Sequence, residues 1–125
     1  MILDTNALSA FADGESSIEG PLRTVEQILI PSIVLGEYNF GIIQSRKKRE
    51  YESWLDSVVS VENVICPDSE TAKIYAKTRL KLKSKGRPIP YHDIWIAALA
   101  IQYRLPILSK DQHFDEIENI TRIGW

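Results

Sequence analysis

The chain has 125 residues, 44% apolar and 26% charged, an ordinary globular composition that excludes disordered, collagen-like and disulfide-scaffold classes and predicts one domain over residues 1–125. Fifteen basic against seventeen acidic side chains leave a formal charge of −2, so any nucleic-acid signal must lie in how charge is distributed, not in its total. A lone cysteine, Cys66, cannot close an internal disulfide, which fits a reducing compartment; a core position is expected for it. No stretch reaches the roughly 20 apolar residues that a bilayer span requires, and no basic-then-apolar leader precedes Asp4, so a cytoplasmic protein is expected.

Met1 to Leu3 reads as a short strand, ended by Asp4-Thr5-Asn6, and Ala7, Leu8, Phe11 and Ala12 then follow at helical spacing. Thr5 and Asn6 are suited to cap that helix. Gly14, Ser16, Ser17 and Gly20 predict a loop, with Pro21 opening a second helix that carries Leu22, Val25, Ile28 and Leu29. Ile28 to Pro31 also reads as a second strand, after which Ser32 caps a helix reaching about Ser45 with Glu37 inside it. Tyr51, Trp54, Leu55 and Val58 mark an amphipathic helix, and Val61, Val64 and Ile65 a third strand. Asp68-Ser69-Glu70 starts a helix that lasts to Lys85, with Gly86 as its left-handed stop. The prolines at 88 and 90 force an extended link. Asp93 then introduces Ile94 to Ile101, apolar nearly all round and therefore a buried helix. Pro106 to Ser109 is a fourth strand, Phe114 and Ile117 anchor a short turn, and Ile120 to Trp125 is a closing strand. Short apolar strands alternating with helices predict a three-layer α/β/α sandwich around a central, mainly parallel sheet.

In such sheets ligands bind beyond the carboxyl ends of the strands. That rule selects Asp4 and Asp111. Two further acids stand where burial is expected: Glu37 inside an apolar helix, and Asp93 at the head of the buried one. Singly, each has an ordinary explanation. Asp4 caps a helix, Asp93 favours the positive helix end, and Asp111 sits in a loop. Glu37 is harder to explain this way, since Gly36 and Gly41 each weaken its helix by roughly 1 kcal/mol relative to alanine and leave space beside it. Gathered at one rim they need cations, because two charges ~4 Å apart repel by about 4 kcal/mol at an effective dielectric of 20. Carboxylates without a His or Cys ligand set suit one or two Mg²⁺ or Mn²⁺ ions. Two such ions can activate water and stabilise a leaving oxygen in phosphodiester cleavage.

The order of these segments resembles a PIN domain, specifically the VapC-type ribonuclease toxins of prokaryotic toxin–antitoxin pairs. It rests on Ile2 to Asn6, Pro31 to Glu37, Asp93 to Ala98, and Pro106 to Asp111 with Phe114, and covers essentially the whole chain. The resemblance implies Asp4, Glu37, Asp93 and Asp111 as metal-binding and catalytic acids, with Thr5 and Asn6 shaping the turn and Ser109 standing where threonine is usual. It further implies a metal-dependent endoribonuclease that leaves a 5′-phosphate, a homodimer, and inhibition by a cognate antitoxin. His92 stands where asparagine is frequent, and His113 where some relatives carry another acid; both are expected as capping or surface residues, the alternative being that they orient an acid or touch phosphate.

Eleven of the fifteen basic residues fall in two runs, Arg46-Lys47-Lys48-Arg49 and Lys73 to Arg87. The first is the better candidate for RNA phosphate contact, the second being partly explained by a helix C-terminus. Two rival functions remain at this level. A phosphoacceptor receiver requires an acid at the end of the third strand, where only Asp68 is near. A catalytically silent PIN-like binding module keeps the acids without the chemistry.

Overall fold

A computed structural model describes residues 1–125. Five two-residue strands form the sheet: β1 (Ile2–Leu3), β2 (Ile30–Pro31), β3 (Val64–Ile65), β4 (Ile107–Leu108) and β5 (Arg122–Ile123). All pair in parallel, with Ile2 opposite Ile107, Ile107 opposite Arg122, and Ile30 opposite Val64. A parallel bridge between Ile2 and Leu29 joins the two sets, giving the order β3-β2-β1-β4-β5. The chain therefore steps outward from β1 to β3, then crosses back to the far side of β1.

Six helices make the connections: α1 (Thr5–Ala12), α2 (Ser16–Arg23), α3 (Ser32–Ile43), α4 (Lys48–Val58), α5 (Ser69–Ser84) and α6 (Tyr91–Tyr103). A 3-10 turn, Gln112–Glu116, separates β4 from β5. Parallel crossovers are right-handed almost without exception, so reversing the direction of travel moves the helices to the opposite face. The expected α/β/α sandwich follows, with α1 packed on α2, α3 and α4, and α5 on α6. Ile2, Leu3, Leu8, Ile30, Val34, Ile94, Ile96, Leu99, Ile107, Leu108 and Phe114 have essentially no solvent exposure. Helix α6 buries Ile94 and every residue from Ile96 to Ala100, as its all-round apolar character requires.

Helix α5 starts and stops as its sequence dictates. Asp68 accepts the amides of Glu70 and Thr71, the Thr71 hydroxyl returns to the Asp68 amide, and Gly86 takes φ +65° beyond the end. The second helix departs from expectation. It begins at Ser16, not Pro21, and Pro21 lies inside it. Ile18, 1% exposed, anchors this helix to the core, while Leu29 leaves the helical path to bridge β1, its amide donating to Met1 O at 2.8 Å. Sheet pairing thus takes the residues that helical spacing had claimed. Cys66 is exposed, contrary to the core position expected: it follows β3, the edge strand, in which Ile65 supplies the inward side chain. Val61, 97% exposed, lies in a turn before β3. Ser32 is the first residue of α3, and makes no side-chain cap.

Because β4 is flanked on both sides and carries the loop bearing Ser109 and Asp111, its packing sets that loop's position. Leu108→Ala is expected to lower unfolding free energy by about 2–5 kcal/mol, whereas Val61→Ala stays within about 0.5 kcal/mol; urea midpoints of the two variants provide the check.

Candidate active site

The strand order reverses between β1 and β4, and their carboxyl ends deliver Asp4 and the Ser109-Lys110-Asp111 loop side by side. Asp4 is 4% exposed, and its position is fixed by three donors. Oδ1 accepts the Thr5 amide at 2.8 Å, while Oδ2 accepts the Ser109 hydroxyl at 2.6 Å and the Asn6 side-chain amide at 3.0 Å. Ser109 Oγ in turn accepts the Asp111 amide at 2.9 Å, and Asn6 Oδ1 accepts the Lys110 amide at 3.1 Å. The turn after β1 and the loop after β4 are thus tied into one network across more than a hundred residues of chain. Behind the loop, Arg122 donates to Ser109 O at 3.0 Å while pairing with Asp115.

The other acids converge on the same place. Thr5 Oγ1 donates to Glu37 Oε2 at 2.7 Å, which links α1 to α3. Asp93, also 4% exposed, stands in the first turn of α6. His92 Nε2 lies 3.3 Å from Glu37 Oε1 and 3.2 Å from Asp93 Oδ1. On the opposite side of Asp93, His113 Nδ1 lies 3.4 Å from Asp93 Oδ2 and 3.1 Å from Asp111 Oδ1. The four acids selected from sequence are therefore gathered in one pocket, with the two histidines between them. Both histidines are exposed, as expected, but the meeting of α6 with the 3-10 turn also sets them beside the acids, a placement that local sequence does not reveal.

Burial pushes the Asp4 carboxyl up from the ordinary carboxylate range, against the Ser109 and Thr5 hydrogen bonds, with Glu37 and Asp111 adding repulsion. Burial likewise raises Asp93; His92 and His113 oppose the shift, and Asp4 and Asp111 reinforce it. The pocket is short of positive charge by the measure of its own acids. Glu37 Oε1 makes the same point geometrically, being buried without a hydrogen bond. Asp93, Asp111 and His113 each offer a ligand atom, all within 4.8 Å of one another. A buried carboxylate oxygen without a hydrogen bond, close to a carboxylate and imidazole donor set, is what a divalent cation fits.

Asp68, the acid a receiver would need, is consumed in capping α5 and also accepts from the Gln102 side-chain amide at 3.1 Å. Arg46, Lys47, Lys48 and Arg49 are all exposed, at the junction of α3 and α4; of these, only Lys48 has a carboxylate partner, Glu52 at 3.8 Å.

The model of the PIN domain matches residues 1–120. The chain belongs to the PIN-domain family. Ribonuclease VapC2 of Rickettsia felis is 30% identical, over 99% of this chain and 96% of its own length. Ribonuclease VapC of Rickettsia bellii is 32% identical, over 97% of this chain and 95% of its own. The PIN fold here superposes on the crystal structure of VapBC2 from Rickettsia felis bound to a DNA fragment from their promoter with a TM-score of 0.88 at 28% identity, covering 99% of this chain and 97% of that one.

A carboxyl group raised in the fold is one whose ionised form is penalised there, so its destabilising effect is full at neutral pH and fades as pH falls to the ordinary carboxylate range. Asp93→Asn is accordingly expected to raise the melting temperature of the metal-free PIN domain at pH 7.5. The gap should close towards pH ~4, and magnesium should raise the melting temperature of the wild type more than that of the variant. Calorimetry across pH, with and without the ion, measures all three.

Proposed function

We propose that this PIN-domain chain is an endoribonuclease toxin, dependent on Mg²⁺ or Mn²⁺, that hydrolyses RNA phosphodiester bonds and is held silent by a cognate antitoxin. The observation that carries the reading is the convergence of Asp4, Glu37, Asp93 and Asp111 at the switch point of the sheet, with a buried Glu37 oxygen that makes no hydrogen bond. The names of its VapC relatives and the toxin–antitoxin composition of the Rickettsia felis complex support the activity and the partner. No helix is long and apolar enough to cross a membrane, which is consistent with a cytoplasmic site of action. In this proposal residues 1–125 act as one nuclease domain and two copies pair as a homodimer.

Asp4, Glu37, Asp93 and Asp111 would hold one or two ions, and His113 offers a ligand atom together with Asp93 and Asp111, all three within 4.8 Å of one another. When bound, a divalent ion supplies Lewis-acid polarisation of the phosphoryl group and lowers the pKa of water to a useful range. The protein's own part is positioning. Ser109 and the Thr5 amide hold Asp4 in one orientation, and Thr5 Oγ1 does the same for Glu37. Asp4 spends three of its roughly four lone-pair sites on these donors and keeps one for the pocket. His92 Nε2 stands between Glu37 and Asp93, and His113 Nδ1 between Asp93 and Asp111, so each imidazole separates two carboxylates. Arg46, Lys47 and Arg49, without carboxylate partners, would attract the RNA backbone.

Asp4→Asn and Asp93→Asn are expected to cut RNA cleavage by at least about a hundredfold with the fold retained. Ser109→Ala, which frees Asp4 without removing a ligand, should cost about 10–100-fold, and Ser109→Thr should restore most of it. Sequencing of RNA ends after induction of each variant, alongside magnesium-titrated cleavage of a short oligonucleotide in vitro, tests the set. Wild-type cleavage indifferent to chelator, or an Asp4→Asn protein as active as wild type, would overturn the proposal.

A further inference from the structure

The basic residues of α5 divide into two classes. Lys73 pairs with Glu70 at 3.9 Å, and Lys81 and Lys85 share Glu118 at 3.5 and 3.6 Å. These charges are answered on the spot. Lys77, Arg79 and Lys83 have no carboxylate within ion-pair distance, and of these Lys77 faces a different cavity, one that contains Glu116 and Glu118, which leaves Arg79 and Lys83, one helical turn apart. Both line a cavity of about 480 Å³ between α5 and the head of α6, whose other walls include Tyr91, Pro88, Ile89 and Ile94 and contain no acid.

Arg79 is also fixed in place without being neutralised. Its guanidinium lies 4.0 Å above the Tyr91 ring, donates through Nη2 to Tyr91 Oη at 2.8 Å, and through Nη1 to Tyr75 Oη at 3.3 Å. Tyr75 is itself stacked on Trp95, with ring centroids 4.1 Å apart and planes 17° from parallel. Two of the five guanidinium N–H groups are used in this way, and the rest remain to bind an anion. Tyr91 is 60% exposed, so its ring presents aromatic surface to solvent beside that charge. Exposed aromatic surface next to a preorganised, uncompensated cation pair is the chemistry that binds unpaired nucleotides: a base stacks and its phosphate is held.

The position relates this cavity to the reaction. Tyr91, His92 and Asp93 occupy successive places in the first turn of α6, so Tyr91 and Asp93 project to opposite sides of one helix end. No more than a helix diameter, about 10–12 Å, separates them. RNA whose scissile phosphate sits at the acids would pass the N-terminus of α6 and reach the cavity a few nucleotides away. The geometry points to a subsite for single-stranded RNA flanking the cleaved bond, in which Arg79 and Lys83 hold phosphate and Tyr91 stacks on a base. This rests on the nuclease reading and adds to it a requirement for unpaired flanking nucleotides.

The test uses the full chain and a fluorescent 12-nucleotide single-stranded RNA of mixed sequence, with a duplex of equal length for comparison. Binding is measured without metal over a range of salt, and cleavage with metal. Arg79→Gln is expected to weaken single-strand binding about tenfold and to flatten the log–log salt slope by about 0.7, one phosphate contact. Lys83→Gln should do the same to a lesser degree. Tyr91→Leu should weaken binding with the slope kept, Tyr91→Phe should recover it, and the loss in kcat/KM should be carried by KM. Lys81→Gln, on the neutralised face, should match wild type. Wild-type cleavage accompanied by Arg79→Gln, Lys83→Gln and Tyr91→Leu proteins that melt normally and bind within twofold of wild type would overturn the subsite but not the nuclease. So would equal affinity for duplex, or a variant defect confined to oligomeric state or antitoxin capture. Absence of any RNA cleavage by the wild type would overturn both.

Discussion

Removing a carboxylate from water costs several kcal/mol unless donors or cations replace the lost hydration, and this fold does so twice within one pocket. Asp4 and Asp93 are each 4% exposed, and burial raises both from the ordinary carboxylate range. The compensation is uneven. Around Asp4 it comes from neutral donors, Ser109, Asn6 and the Thr5 amide, which cannot dissociate and hold the group rigidly. Around Asp93, Asp111 and Glu37 it comes from two exposed imidazoles at 3.1–3.4 Å. One end of the pocket is therefore fixed by the sheet, whereas the other is lined by two exposed imidazoles.

That division follows from topology. Asp4 and Ser109 emerge from adjacent parallel strands whose register is locked by core residues with no exposure, Leu3 opposite Leu108. Asp93 and Glu37 come from helices, and their relative position depends on how α3 and α6 pack. The Thr5 to Glu37 bond at 2.7 Å ties the turn after β1 to α3. A catalytic centre built from a rigid carboxylate and adjustable ones suits metal ions whose coordination changes during a reaction, provided the rigid member fixes the register of the phosphate.

The sequence disclosed the rim because strand ends are marked chemically. Asp4-Thr5-Asn6 and Ser109-Lys110-Asp111 each interrupt an apolar run, and parallel sheets bind ligands at such interruptions. Glu37 and Asp93 stood out as charges in apolar helices. What remained hidden depended on choices that local pattern cannot make. Leu29 satisfies helical spacing and strand pairing equally, and only the neighbouring β1, with a hydrogen bond from Leu29 N to Met1 O at 2.8 Å, decides for the strand. Cys66 was expected inside on composition, but the strand order that makes β3 an edge is not written in Val64-Ile65-Cys66. His92 and His113 each look like surface residues in isolation; their role emerges only when α6 and the 3-10 turn meet.

Net charge was the least informative number in the sequence, and the structure explains why. A formal charge of −2 averages an acidic pocket against cations whose partners differ from place to place. Glu118 neutralises Lys81 and Lys85, and is itself held below the usual range by them. Asp115 serves Arg122 in the same way. Subtracting such pairs leaves the unpartnered charges of Arg46, Lys47 and Arg49 at one end of α4, of Lys77, Arg79 and Lys83 on α5, and of Arg104 after α6. None of these cations forms an ion pair with Asp4, Glu37, Asp93 or Asp111. The acids therefore keep their demand for counter-charge, while the unpaired cations on the surface keep their attraction for phosphate, an attraction that salt screens over about 8–10 Å.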